Sequence, residues 1–101
     1  MENYMIFAIC HHGYAGDIMT IARKAGAKGG TILKARGSAG KEVAKFFGIT
    51  IQPEKEMVMI IVPENLKENI MKAIVQNAGV QTEAHAITFS IKLDQVIGIN
   101  V

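Results

Sequence analysis

The sequence contains no tryptophan, a single cysteine and no apolar run long enough to cross a bilayer. With Cys10 alone, an intramolecular disulfide is excluded, and the cytoplasm is the expected compartment. The longest apolar stretches, such as 57–62, fall far short of the roughly 20 residues that a membrane helix needs. The opening residues Met1-Glu2-Asn3-Tyr4 lack a basic region, so no secretory signal is expected. Catalytic patterns are missing as well. No serine, histidine and acid stand in a recognisable context, and no carboxylate pair flanks a cleft, so a non-enzymatic protein is expected.

What is present is ordinary for one globular domain over 1–101, half apolar and one-fifth charged. A chain of this size buries roughly 60–70% of its unfolded surface, enough to fold with little margin. The net charge is only +2, but seven of the eleven basic residues fall between Arg23 and Lys45, opposed there by Glu42 alone. Such a stretch attracts an anionic ligand or an acidic partner, or else is a solvated face.

Hydropathy patterning divides the chain into alternating strands and helices. Residues 4–10 are continuously apolar and read as a strand. Ile18, Ile21, Ala22 and Ala25 then repeat at helical spacing, with Asp17 as a cap or in the first turn and Gly26 as the terminator. Gly29-Gly30 turns the chain into a second strand at 31–35. From Arg36 to Pro53 the sequence is irregular. A short helical turn is expected over 41–47, and an extended piece at Ile49-Thr50-Ile51. Residues 55–62 are the clearest strand. Pro63 suits the first turn of a helix marked by Leu66, Ile70, Ala73 and Ile74, which Ala78-Gly79 should end as Ala25-Gly26 ends the first. A last strand is expected near 86–93, and 94–99 form a tail. The order is strand, helix, strand, loop, strand, helix, strand. This is an α+β, ferredoxin-like βαββαβ arrangement, with two helices on one face of a four-stranded antiparallel sheet.

A sheet covered on one side should alternate apolar and polar residues. These strands do not. Tyr4, Ile6, Ala8 and Cys10 point one way, and Met5, Phe7 and Ile9 the other; Met57, Met59 and Ile61 oppose Val58, Ile60 and Val62. Two helices cover one face only. At about 25 cal/mol per Å² of apolar area, the second face favours self-association, so a closed homo-oligomer is expected, with Met57 and Met59 in its interface.

Several motifs in fixed order resemble the PII nitrogen-regulatory superfamily over nearly the whole chain. They are Ala25-Gly26-Ala27-Lys28-Gly29-Gly30-Thr31, Lys34-Ala35-Arg36-Gly37 at the opening of a loop, Met59-Ile60-Ile61-Val62-Pro63 at the strand–helix join, and the last strand around Phe89. The chain is most similar to a divergent branch with Ala-Arg-Gly-Ser before Phe-Phe-Gly. The resemblance implies a homotrimer with ligand clefts between subunits. The loop 36–53 corresponds to a shortened T-loop that signals to a regulated partner, such as a membrane transporter. Classical members bind ATP or ADP, and 2-oxoglutarate through magnesium and ATP. Here the stretch corresponding to the glycine-rich, lysine-ended B-loop reads Ala84-His85-Ala86-Ile87, and the classical C-terminal arginines fall near Gly98 and Asn100. The usual glutamine beyond Gly37 is Ala39, and the loop holds no tyrosine for modification. The classical ATP site is thus degraded in sequence, which leaves an adenine nucleotide in a non-classical site or another small anionic effector.

Lys34, Arg36, Gly37, Ser38 and Lys41, with His85, are the candidate ligand contacts. Arg36 can hold a phosphate or carboxylate through two parallel hydrogen bonds, and successive loop amides can cradle an anion. Phe46-Phe47 is the candidate docking anchor for the partner, or a pin that holds the loop to its own sheet. Cys10-His11-His12 places three metal-ligating residues in sequence, although alternation sends His11 away from Cys10 and His12; His85 across a subunit boundary could complete a site. This set supports an alternative, a metal-binding trimer like the copper-tolerance CutA relatives. Acylphosphatase chemistry would need an arginine-containing loop where His11-His12-Gly13-Tyr14 stands. Nucleic-acid binding is not expected, because the central strands carry aliphatics and Met rather than exposed aromatics.

Overall fold

A computed structural model describes residues 2–37, 44–46, 49–51 and 53–99, with 44–46 and 49–51 described by their backbone alone. Its elements are β1 (Asn3–His11), α1 (Ala15–Lys24), β2 (Thr31–Arg36), β3 (Ala44–Phe46), β4 (Ile49–Ile51), β5 (Glu54–Pro63), α2 (Glu64–Ala78) and β6 (Ile87–Lys92). The main sheet has the order β2-β5-β1-β6, and every neighbouring pair is antiparallel. The expected βαββαβ fold is therefore present, with β1 and β5 in the middle.

Register explains the two apolar faces. Ile6 stands between Ile60 and Ser90, and Ala8 between Val58 and Thr88. These even-numbered positions face the helices. Ile6, Ala8, Cys10, Val58, Ile60 and Val62 are buried there against Ile18, Met19 and Ala22 of α1 and Ile70, Ile74 and Ala78 of α2. The odd-numbered positions form the other face. It carries Met5, Phe7, Ile9, Leu33, Met57, Met59 and Ile61 with Ile87, Phe89 and Ile91. Phe7 and Phe89 stack there with centroids 5.1 Å apart. No helix among the described residues covers this side, and Phe89 is 43% exposed in the single chain.

Both helices end where glycine was expected to end them, by different means. Gly26 takes φ +118, the left-handed conformation that suits a residue without Cβ. Gly79 closes α2 with extended backbone at φ −73 instead. Pro63 also departs from expectation. It is the last residue of β5, paired with Asn3, and precedes the helix at φ −71, ψ 157. Its missing N–H costs nothing at that strand end. Asp17 lies in the first turn of α1, where the helix dipole favours a carboxylate, rather than at the cap.

The loop holds the clearest difference. Instead of a helical turn over 41–47, Ala44–Phe46 pairs antiparallel with Ile49–Ile51, Ala44 opposite Ile51 and Phe46 opposite Ile49. Three successive β-branched residues, Ile49, Thr50 and Ile51, favour such pairing over a helix. The tail after β6 forms no further strand up to Ile99.

Candidate functional site

The end of the sheet where β1 finishes and β5 begins gathers most of the chemistry-bearing residues. The hairpin register sets Lys34 opposite Glu56 and Arg36 opposite Glu54, on one face. The Gly37 amide donates to the Pro53 carbonyl at 2.9 Å and closes the root of the intervening loop. His12 leans onto the same face, with Nδ1 3.7 Å from a Glu54 oxygen and 3.6 Å from a Glu56 oxygen. His12, Lys34, Ala35, Arg36, Glu54 and Lys55 line a cleft of about 220 Å³. The Lys34 and Arg36 side chains are exposed and make no ion pair or hydrogen bond with another described residue. The cleft therefore presents two uncommitted cations, one of them a planar two-pronged donor, in a form suited to a phosphate or carboxylate.

Glu56 ties this cleft to the fold. Its other carboxylate oxygen accepts the Ala15 N–H at 2.9 Å and so caps α1, whose own cap residue, Tyr14, provides no side-chain bond. Its backbone carbonyl accepts a long bond from the Cys10 thiol, 3.7 Å. Cys10 is buried under the helices. Burial, helped by the Glu56 charge, pushes the thiol up from 9.0 to about 11. Between about pH 9 and 11 the unfolded chain has lost this proton and the folded chain keeps it. Stability from this group is therefore complete below pH 9 and falls as pH rises through the window. Urea midpoints should decline more steeply over that range in the wild type than in Cys10→Ala; equal slopes would show that the thiol is not shielded. A thiol reagent at mildly alkaline pH should react at least about tenfold faster in urea than with the folded chain.

A second cluster sits beside the first. His11 projects from the end of β1 toward the turn before β6, where its amide donates to the Ala84 carbonyl at 2.9 Å. Its ring stacks on His85 with centroids 5.1 Å apart and planes at 11°. Tyr14 donates its hydroxyl to a Glu83 carboxylate oxygen at 2.8 Å, and this bond is the main reason its phenol is held above the ordinary value. Ala84 and Ala86, which flank His85, are buried, so that turn spends its small residues on packing rather than on an open phosphate cradle.

The structure thus distributes the sequence-predicted residues unevenly. Lys34 and Arg36 share the cleft, with Gly37 at the loop root next to them and with His12 and not His85 as the neighbouring imidazole. Cys10, His11 and His12 go three ways, into the core, onto His85 and onto Glu54 and Glu56. Among the described residues no three His, Cys, Asp or Glu side chains are grouped to hold a metal ion. Ser38, Lys41 and Phe47 lie outside the described residues, and Phe46 is described by its backbone alone. Sequence reasoning missed Glu54 and Glu56. Their signal was their alternation at 54 and 56 opposite Arg36 and Lys34, readable only once the hairpin register is known.

A second hollow, about 380 Å³, lies at the opposite end on the open face, between Met5, the Lys28-Gly29-Gly30-Thr31 segment, Met59, Ile61 and Ile99. No helix among the described residues is long and apolar enough to cross a membrane.

Residues 3–100 match the family model described as nitrogen regulatory protein P-II. No curated protein matches the chain. Solved structures share its fold. A PII-like signalling protein from Thermus thermophilus superposes with a TM-score of 0.69 at 15% identity, over 92% of this chain and 87% of its own. The GlnK–ATP complex of B. subtilis does so at 0.70 and 10% identity, over 92% and 84%.

Proposed function

Since this chain belongs to the nitrogen regulatory protein P-II family, we propose that it is a non-enzymatic signalling trimer that senses a small anionic effector at the root of its 36–53 loop. The observation that carries this reading is the pair Lys34 and Arg36, exposed and uncommitted at strand ends that the Gly37–Pro53 bond holds in place. The whole chain acts as one domain, and the loop is its shortened T-loop. Effector binding at the root of the loop alters the activity of a regulated protein in nitrogen metabolism or transport. Phe46 and Phe47 are its docking residues, and the protein works in the cytoplasm.

The open face supports a trimer. Leu33, Ile87, Phe89 and Ile91 stay 40–51% exposed on it in the single chain, and packing three such sheets together removes them from water. The effector is an adenine nucleotide or a similarly charged small molecule. GlnK of B. subtilis was solved with ATP. In this chain Ala84, His85, Ala86 and Ile87 offer no lysine, so the phosphates are held chiefly by Arg36, Lys34, Ser38 and Lys41, with His85 at the margin.

Calorimetry with ATP, ADP, AMP, cyclic dinucleotides, 2-oxoglutarate and bicarbonate tests the proposal. One of these should bind, and Arg36→Ala should weaken it at least about tenfold, as expected for losing a charge-assisted two-point contact worth about 1.5–3 kcal/mol. Absence of heat from every compound, or binding indifferent to Arg36→Ala, overturns the assignment.

A further inference from the structure

The cleft at the loop root holds two negative charges as well as its two uncommitted positive ones. Glu54 and Glu56 stand cross-strand from Arg36 and Lys34 on the same face, so their charges offset those of the cations. The carboxylates differ in freedom. Glu54 is exposed, at 65% of its side chain. The Glu56 side chain is only 13% exposed, and one of its oxygens holds the Ala15 N–H at 2.9 Å. It cannot leave the cleft without uncapping α1. An anion that enters to reach Lys34 and Arg36 therefore meets a negative charge fixed in place. Repulsion between like charges is stronger there than in bulk water, because protein replaces part of the solvent.

His12 is the group placed to relieve that repulsion. Its Nδ1 lies 3.6 Å from a Glu56 oxygen and 3.7 Å from a Glu54 oxygen. The other charged groups on the cleft lining are Lys34, Arg36 and Lys55. Its chain neighbours His11 and Tyr14 turn away, to His85 and Glu83. Carboxylates, lysines and arginines as classes keep their charge through the neutral range, whereas imidazole changes charge between about pH 5 and 8. A proton on His12 turns both carboxylate contacts into ion pairs. An anion drawn into the cleft favours that proton, and by linkage the proton favours the anion to the same degree.

Building on the effector site proposed above, we propose that anion binding at Lys34 and Arg36 is coupled to uptake of a proton by His12, so that the cleft responds to acidity and effector together. The sign follows from the charges. With His12 neutral, Glu54 and Glu56 oppose the anion unscreened, so affinity is lowest at alkaline pH and rises as pH falls through the imidazole range.

Calorimetry of the full chain with 2-oxoglutarate and with a cyclic dinucleotide, neither of which changes charge in this range, tests the coupling. Affinity should be at least about threefold tighter at about pH 6 than at about pH 8. Near neutrality, heats in buffers of different ionisation enthalpy should reveal uptake of at least about 0.2 proton per chain. For ATP, ADP, AMP and bicarbonate, which titrate themselves, the difference between wild type and His12→Gln isolates the contribution of the chain. His12→Gln should abolish both the uptake and the pH dependence, with circular dichroism confirming the fold. His11→Gln should retain both. In the wild type, the His12 ring proton resonance should also move toward its protonated position when effector is added at constant pH, a readout that needs no variant. Binding without proton uptake, an unmoved His12 resonance, coupling that persists in folded His12→Gln, or coupling lost in His11→Gln each overturns this inference and leaves the effector site standing. Absence of binding by every compound overturns both, and binding indifferent to Arg36→Ala overturns the effector site.

Discussion

Ile60→Ala is expected to lower the unfolding free energy by about 2–5 kcal/mol, the range for truncating a fully buried isoleucine to alanine. Ile60 lies at the centre of β5, with no exposed surface, directly opposite Ile6 on the neighbouring central strand. Both strands are fixed by hydrogen bonds on each side, so the surroundings cannot collapse into the space that the lost carbons leave. For a domain of this size, whose total stability is about 5–15 kcal/mol, the loss removes a large share. Urea denaturation followed by circular dichroism measures it. A change under about 1 kcal/mol would mean that the core around β1 and β5 is loosely packed.

Phe89→Glu should act on assembly and leave the single chain folded. The Phe89 ring stacks on Phe7, outside the core under the helices, and is 43% exposed in the single chain. In a trimer built on the open face, the new carboxylate would be buried without a partner, at a cost of several kcal/mol per subunit. Size-exclusion chromatography with light scattering at micromolar concentration should give three times the chain mass for the wild type and the chain mass for the variant. A monomeric wild type would overturn the trimer, and a variant of unchanged mass would move the contact away from this face. Secondary structure should be the same in both, which separates this effect from unfolding.

These two substitutions test the part of the molecule that was most legible in sequence. Continuous apolar runs at 4–10 and 57–62 have no polar alternation, and a strand of that kind needs cover on both sides. The helix-facing and open-facing sets fall where alternation puts them. Helix ends at Gly26 and Gly79 were legible through the glycines, although only Gly26 uses its conformational freedom. The loop was less so. Ala44, Lys45 and Phe46 are compatible with helix or strand, and what decides is pairing with Ile49, Thr50 and Ile51, an interaction that no single segment displays.

The site was legible in its residue types and not in its groupings. Lys34 and Arg36 alternate along one strand, so their shared face follows from the period of two. The neighbours that give them a setting come from elsewhere in the chain. His12 reaches Glu54 and Glu56 only through the antiparallel register of β5 with β1 and β2. The adjacency of Cys10, His11 and His12 suggested one cluster, but a β-strand turns sequence neighbours to opposite faces. His11 instead meets His85, which lies beyond both helices in sequence and arrives beside it because β6 pairs with β1.

That last pairing bears on how the molecule comes to be folded. β1 occupies the middle of the sheet, yet both strands that flank it come much later in the chain. Ile6 must find Ile60 on one side and Ser90 on the other. During synthesis β1 is therefore made early and waits with two bare edges, one of which stays bare until β6 has emerged. Distant pairing of this kind slows folding and prolongs the exposure of aggregation-prone backbone. Met5, Phe7 and Ile9 are carried through that interval on the same strand, so the residues suited to bind other copies of the chain are on offer before the sheet that orients them exists.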